Sequence, residues 1–327
     1  MFELARRWGL RLYAAPYLFS PAAKVGDANV AAASRGSFEV ETGLAAFERL
    51  FADYDEGPQG RTRVILGPHA ADSCAPDLLI AANRIARERN LLTTIHLAQS
   101  QGEIERVAKI RGMNCAGYMR SVGLLREGVI FAHGTDLTVA ELAEVAASGA
   151  AIVNCASVFL RGGKSPNFAQ FRAYGVRVGL GTDAERMDFF SQMRTTGFAS
   201  KQATGSGDSG TAAEIFHAAT IESADILRRS DLGRIEPGAT ADLVIVDAMR
   251  AHLQPICDPI RTLVWYACSA DIDTVIVDGQ IVVRHGKLTG VDEATVIARG
   301  RAATVKIWDE AKRLGHFPPE AKPATAH

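Results

Sequence analysis

Three histidines and one aspartate close short β-rich runs, where side chains from different strands can reach one ligand. They are His69 in RVILGPH (63–69), His96 in LLTTIHLA (91–98), His133 in VIFAH (129–133) and Asp183 in VRVGLGTD (176–183). Neutral imidazoles with one carboxylate suit a borderline divalent ion such as Zn²⁺ or Fe²⁺. Each residue alone has a plainer use. A strand-end histidine is often a hydrogen-bonded rim residue, and Asp183 could cap the helix that follows it. The other five histidines, His217, His252, His285, His316 and His327, fall on helical, turn or tail sequence and read as surface residues.

Those residues need a scaffold that brings strand ends together. Residues 10–16 (LRLYAAP) and 150–155 (AAIVNC) add two runs, giving six β-rich runs separated by helical sequence. Residues 76–89 place Leu78, Ala81, Ala82 and Ile85 on one helical face, with Asn90 as the stop. Thr138 and Glu141 form a capping box for a helix that ends at Gly149. A short helix stops near Gly175, residues 2–8 read as a helix ending at Gly9, and a Gly/Ser-rich loop at 204–210 precedes a helix over 211–228. Such alternation predicts parallel strands with right-handed crossovers. The absence of a G-x-G-x-x-G or G-K-[ST] loop argues against a phosphate-binding doubly wound sheet. Chemistry-bearing residues at C-terminal strand ends instead favour a (β/α)8 barrel.

The expected fold is therefore α/β: an incomplete TIM barrel, with about six of its eight strands recognisable, over residues 1–230. A small antiparallel β module follows over 231–290, with a strand in 233–247 and a type I′ hairpin at Asp278-Gly279. Residues 291–327 supply an amphipathic helix, read as closing the module, and a Pro/Ala-rich tail.

Several stretches, in order along the chain, carry a resemblance: PHAADSCAPDLL (68–79), TIHLAQS (94–100), FAHGTDLT (131–138), VGLGTDA (178–184), ATIESADIL (219–227) and LGRIEPGATADLVIVD (232–247). The sequence resembles the metal-dependent amidohydrolase superfamily, in the branch of guanine and cytosine deaminases, adenosylhomocysteine-type deaminases and triazine chlorohydrolases. The resemblance implies that His96 and Asp183 are metal ligands, and that Asp183 also accepts a proton from the attacking water. It implies that His133 hydrogen-bonds that water or the substrate, and that His69 and Asn154 contact the substrate. The implied cofactor is one zinc or iron ion. The implied reaction is hydrolysis of a non-peptide C–N bond, most readily deamination of a small nitrogen heterocycle.

The sequence also departs from that pattern. The family's first-strand His-x-His pair, which supplies two metal ligands, occurs nowhere in it. This leads to the expectation of an N-terminally shortened chain with weak metal retention and impaired activity. Gln99 stands where the branch places a glutamate that shuttles protons, and an amide cannot do this near neutral pH. Asn154-Cys155-Ala156 replaces a His-Cys-Pro-like run. Two alternatives follow: a non-catalytic relative kept as a binding or partner subunit, and a dechlorinase or cyclic-amide hydrolase using the same site.

Composition bounds the rest. In 327 residues, 36 Lys and Arg balance 37 Asp and Glu, so a nucleic-acid partner is not expected. No apolar run reaches the roughly 18 residues of a membrane span. The first residues do not read as a signal peptide, so cytoplasmic location is the expectation. Five scattered cysteines without a CxxC pair read as small buried residues rather than disulfides or a cysteine-based zinc site. Unpaired strand edges predict association into homo-oligomers.

Overall fold

The computed structural model describes residues 1–21, 40–165, 168–184 and 187–316. The tail beyond 316, with His327, lies outside the described residues. Eight short parallel strands line up as six, because the first two runs are each broken in the middle. β1 (Leu12–Ala14) pairs with β3 (Thr62–Val64), and β2 (Tyr17–Leu18) pairs with β4 (Gly67–Pro68). Parallel bridges Leu66–Thr93 and Ala70–His96 join that pair to β5 (Thr93–Leu97). β6 (Val129–His133), β7 (Ala151–Asn154) and β8 (Arg177–Leu180) continue the arc in chain order, all parallel. The six expected runs are thus all strands.

Helices return the chain between them. Pro76–Glu88 buries Leu78, Leu79, Ala82 and Ile85 against the sheet, as its 3.6-residue period requires. Val139–Ser148 begins with the capping box of Thr138 and Glu141 and ends at Gly149 in the left-handed conformation. A helix over Val40–Tyr54 joins the first two strand runs. The sequence reading named no residues there, although Leu44, Phe47, Phe51 and Tyr54 have helical spacing. Leu97, Phe131, Ile152 and Val178 pack outward into the helix-facing core, whereas Ile65, Leu92, Ile130, Ala151 and Ile226 form a second cluster. In β5 burial alternates: Thr93, Ile95 and Leu97 are buried, while Thr94 and His96 are half-buried on the opposite face. This two-residue period is what turns His96 away from the helices.

Gly67 sets the spacing beneath the site. A Cβ there would lie 2.8 Å from the carbonyl oxygens of both Ala15 and Pro16. These are backbone atoms, so they can yield only if β2 and β4 part. Gly67→Ala is therefore expected to cost about 1–3 kcal/mol, read as a lowered Tm. An unchanged Tm would mean that the strands adapt freely.

The residues after the barrel region hold its last strand. The expected helix over 211–228 is two helices, Ala212–His217 and Ser223–Ile226, joined by a π-helical turn over Ala218–Glu222. From this turn the Glu222 carboxylate accepts the backbone N–H of Val178 at 2.9 Å, and Ser223 Oγ accepts that of Leu180 at 3.4 Å. Arg172 pairs with Glu222 at 2.8 Å. Nearby, the buried Arg229 makes two 2.7 Å bonds to Asp231 and one of 3.1 Å to Tyr13 Oη, tying β1 to this region.

The antiparallel sheet has the order β12–β11–β10–β9, with β9 Leu243–Val246, β10 Ile272–Val277, β11 Gln280–Arg284 and β12 Lys287–Leu288. Asp278 (φ 53°) and Gly279 (φ 75°) form the type I′ turn. Arg11 binds Asp242 through Nε at 2.6 Å and Nη2 at 2.8 Å, and Asp242 also accepts the Asp278 N–H, so the module is anchored to the first barrel strand. One expectation fails here. The helix Glu293–Arg313 buries none of its residues, so it does not close the module. Its apolar side chains are amphipathic in spacing, but spacing does not say what a face meets. The cysteine expectation holds for Cys74, Cys115 and Cys155; Cys257 is exposed and Cys268 half-exposed. No described helix is long and apolar enough to cross a membrane.

Candidate functional site

The strand ends assemble the predicted residues at one mouth. His69 follows β4, His96 lies in β5, His133 ends β6, Asn154 ends β7 and Asp183 stands three residues beyond β8. Their rings form a row. His69 and His96 have centroids 5.0 Å apart, His96 and His133 5.2 Å, and the last pair is stacked. Asp183 Oδ2 lies 3.9 Å from His133 Nε2. His133 (φ 79°) and Asp183 (φ 55°) both occupy the left-handed region.

His96 Nδ1 lies 2.5 Å from the carbonyl oxygen of His69. Only an N–H can donate to that carbonyl, so a proton sits on Nδ1, and Nε2 is the ring atom left to meet a ligand. His69 Nδ1 is 2.7 Å from Ser73 Oγ. Burial, and secondarily the neighbouring His96, lower the pKa of both His69 and His133 to about 4, so both rings are neutral at pH 7. Of the five buried side-chain polar atoms without a hydrogen-bond partner among the described residues, two lie at the mouth: His133 Nδ1 and Asn154 Oδ1. Buried polar atoms rarely go unsatisfied, so a small polar ligand or water belongs at such atoms.

The alternative use of Asp183 as a helix cap does not hold. The next helix, Phe189–Thr204, is capped by Asp188, whose carboxylate accepts the N–H groups of Phe190 and Ser191. Asp183 instead accepts the N–H of Ala184 at 2.6 Å. Gln99 lies just past β5, its backbone N–H held at 2.9 Å by the carboxylate of Glu103. Glu103 also accepts the Ala98 N–H at 3.1 Å and is fully buried, so it supports the loop from the following helix.

Three rings that the sequence reading missed extend the row. Phe19 stacks on His69 at 4.4 Å, Tyr17 meets His69 edge-on at 5.1 Å, and Phe159 meets His133 at 4.9 Å. The Tyr17 hydroxyl is pushed up by burial and by the charge of Asp183, which places it in the electrostatic reach of the site. The signal for Tyr17 and Phe19 was position, since they follow the first strand run as His69 follows the second. Two ion pairs flank the strand ends, Arg106 with Asp72 at 2.5 Å and Lys164 with Asp136.

Comparison with known proteins bears on the fold and the family. The chain is 31% identical over 284 residues to a 5-methylthioadenosine/S-adenosylhomocysteine deaminase of Pelotomaculum thermopropionicum, covering 84% of this chain and 65% of that protein. It therefore spans just under two thirds of that relative's length. The crystal structure of an adenosine deaminase from Xanthomonas campestris with bound zinc superposes with a TM-score of 0.86 at 21% identity, over 94% of this chain and 68% of that one. Atrazine chlorohydrolase from Arthrobacter aurescens, complexed with zinc, gives 0.83 at 24%, over 92% and 67%. At those identities the two structures speak for the fold. The profile of the amidohydrolase family matches residues 1–282, and the chain belongs to that family.

Proposed function

We propose that this mouth is a hydrolytic site for a C–N bond in a planar nitrogen heterocycle, with an adenine-type amino group leaving as ammonia. The observation that carries the reading is the joined row of rings and one carboxylate, Phe19–His69–His96–His133–Phe159 beside Asp183. A flat, electron-poor ring fits such a row by offset stacking. The name of the deaminase relative supports the adenine-type choice.

The donors present fit a divalent ion in kind. His96 offers Nε2, with its ring fixed through Nδ1 in the way metal-bound histidines are usually held, and Asp183 offers a carboxylate. In number they fit only in part, since a catalytic zinc takes three protein ligands and an open position. Among the described residues, the only three ligating side chains with donor atoms within 4.8 Å of one another lie elsewhere. When bound, zinc or iron supplies a Lewis acid that makes water nucleophilic at neutral pH.

The chain's own residues do the remaining work. Asp183 takes the proton of the attacking water. His133, neutral and 3.9 Å from that carboxylate, hydrogen-bonds the water or the developing oxyanion. Asn154 and His69 hold the substrate's polar edge, and Gln99 orients a ring nitrogen without exchanging a proton. The test is ammonia release from adenosine-type nucleosides, with a chlorinated triazine for comparison, at increasing zinc concentration. We expect deamination to be slow and to appear only at added zinc. Chloride release from the triazine without any ammonia release would overturn the deaminase reading.

A second reading rests on the two-donor set and on Gln99: a non-catalytic binding subunit for the same class of heterocycle. Saturable nucleoside binding with no turnover at any zinc concentration would select it.

A further inference from the structure

A second group of ligating side chains lies outside the barrel mouth. His252 belongs to a 3₁₀ turn, Ala251–Leu253, and Asp271 precedes β10; Cys268 starts the short turn Ser269–Asp271. The intervening helix Pro259–Trp265 brings these distant positions together. His252 Nε2 lies 3.0 Å from Asp271 Oδ2, and the ligand atoms of His252, Cys268 and Asp271 all fall within 4.8 Å of one another. Asp271 is buried, with its side chain 3% exposed, whereas that of His252 is 51% exposed. The group is thus a buried carboxylate under a solvent-facing imidazole and a half-exposed thiol.

The turn holds two of the three in place. Asp271 Oδ2 accepts the Cys268 N–H at 2.8 Å, and the Cys268 sulfur accepts the Asp271 N–H in the reciprocal cap. The Asp271 carbonyl accepts the Asp247 N–H at 2.8 Å, fixing the turn to the end of β9. Ligand–metal distances of about 2.0–2.2 Å for nitrogen and oxygen set a tetrahedral N···O separation of about 3.3 Å. The exposed His252 ring needs to swing by only a few tenths of an ångström to reach it.

We propose that His252 Nε2, Cys268 Sγ and one Asp271 carboxylate oxygen form a surface site for a single borderline divalent ion, zinc or cobalt(II), distinct from the barrel mouth. Thiolate, carboxylate and neutral imidazole balance the ion's two charges, and a fourth position faces water. On binding, the S–H bond breaks and its proton goes to solvent. The imidazole proton moves from Nε2 to Nδ1 through water, so one proton leaves per ion. The bound ion staples residue 252 to residue 271 and so braces the helix between them. The expectation that no cysteine serves a metal came from the lack of a CxxC pair, and a mixed ligand set formed in space is invisible to such spacing.

Cobalt(II) chloride titrated into the purified full chain tests this. A thiolate-to-cobalt charge-transfer band that saturates at one ion per chain is expected. It should vanish in Cys268→Ser and weaken in His252→Gln, while persisting in Cys257→Ser and His96→Asn. Zinc should raise the Tm of the wild type more than that of Cys268→Ser. The serine variant keeps the cap geometry, and its Tm without metal checks that it folds. Absence of the band in the wild type, its survival in Cys268→Ser, or an equal zinc-induced Tm rise in both proteins overturns the proposal.

Discussion

Gln99→Glu is expected to raise the turnover number for ammonia release by about 10²–10⁴-fold, the usual worth of a positioned general acid and base. Gln99 lies on the loop just beyond β5, three residues from His96, and its backbone N–H is pinned by Glu103. The side chain is half-buried, so an isosteric carboxyl enters the same space without disturbing the loop. What changes is proton chemistry. A carboxyl can take a proton from water and return it to a ring nitrogen or departing amine, whereas an amide has none to give near neutral pH. The comparison requires both proteins at saturating zinc and a melting curve showing equal stability. A kcat that stays within a few-fold of the parent, or a change confined to KM, would mean that proton transfer at this position does not limit the reaction.

The second large effect concerns Glu103 beneath that loop. Burial pushes its carboxyl up to about 7, against the opposing pull of the Gln99 and Ala98 N–H groups. The unfolded chain releases this proton near the ordinary value of about 4.5, so between pH 4.5 and 7 the folded state binds more protons than the unfolded one. Stability from this group therefore falls as pH rises through that window and is level above about 7. A separation of about 2.5 pH units corresponds to about 3 kcal/mol. His69 and His133 work in the opposite direction, because both stay neutral to about 4 in the fold and oppose acid conditions below the ordinary histidine range. The wild-type curve alone thus mixes two signs. Subtracting the urea-unfolding free energies of Glu103→Gln from those of the wild type isolates the carboxyl. That difference should drop by about 3 kcal/mol from pH 4.5 to 8; a flat difference would show that Glu103 is ionised in the fold throughout.

Much of this molecule can be read from its residues, and what escapes follows a pattern. β5 was legible because its residues alternate between buried Thr93, Ile95 and Leu97 and half-buried Thr94 and His96. The helix over Val139–Ser148 was legible because Thr138 and Glu141 carry their own stop-and-start chemistry. The mouth was half legible: His69, His96, His133 and Asp183 stand out by type, while Tyr17, Phe19 and Phe159 look like any other aromatic until the strands are set side by side. Asp183 looked equally like a cap, and only the presence of Asp188 at the next helix decides the matter. The helix Glu293–Arg313 shows the opposite failure, since an apolar period states what a face could do and not what it meets. His252, Cys268 and Asp271 were hidden because their adjacency is produced by the helix between them.

The π-helical turn has a consequence for how the protein behaves in a tube. A terminal strand of an open sheet normally offers a ladder of bare amide hydrogens on which another chain can grow, the first step towards amorphous precipitate or fibril. Here the Glu222 carboxylate and the Ser223 hydroxyl already occupy Val178 and Leu180. That rim is plugged by side chains instead of by a partner strand, and one polar plug, Glu222, is itself neutralised by Arg172. Concentrating the protein should thus be more hazardous where Glu222 is lost, since its removal would bare the Val178 amide that it shields.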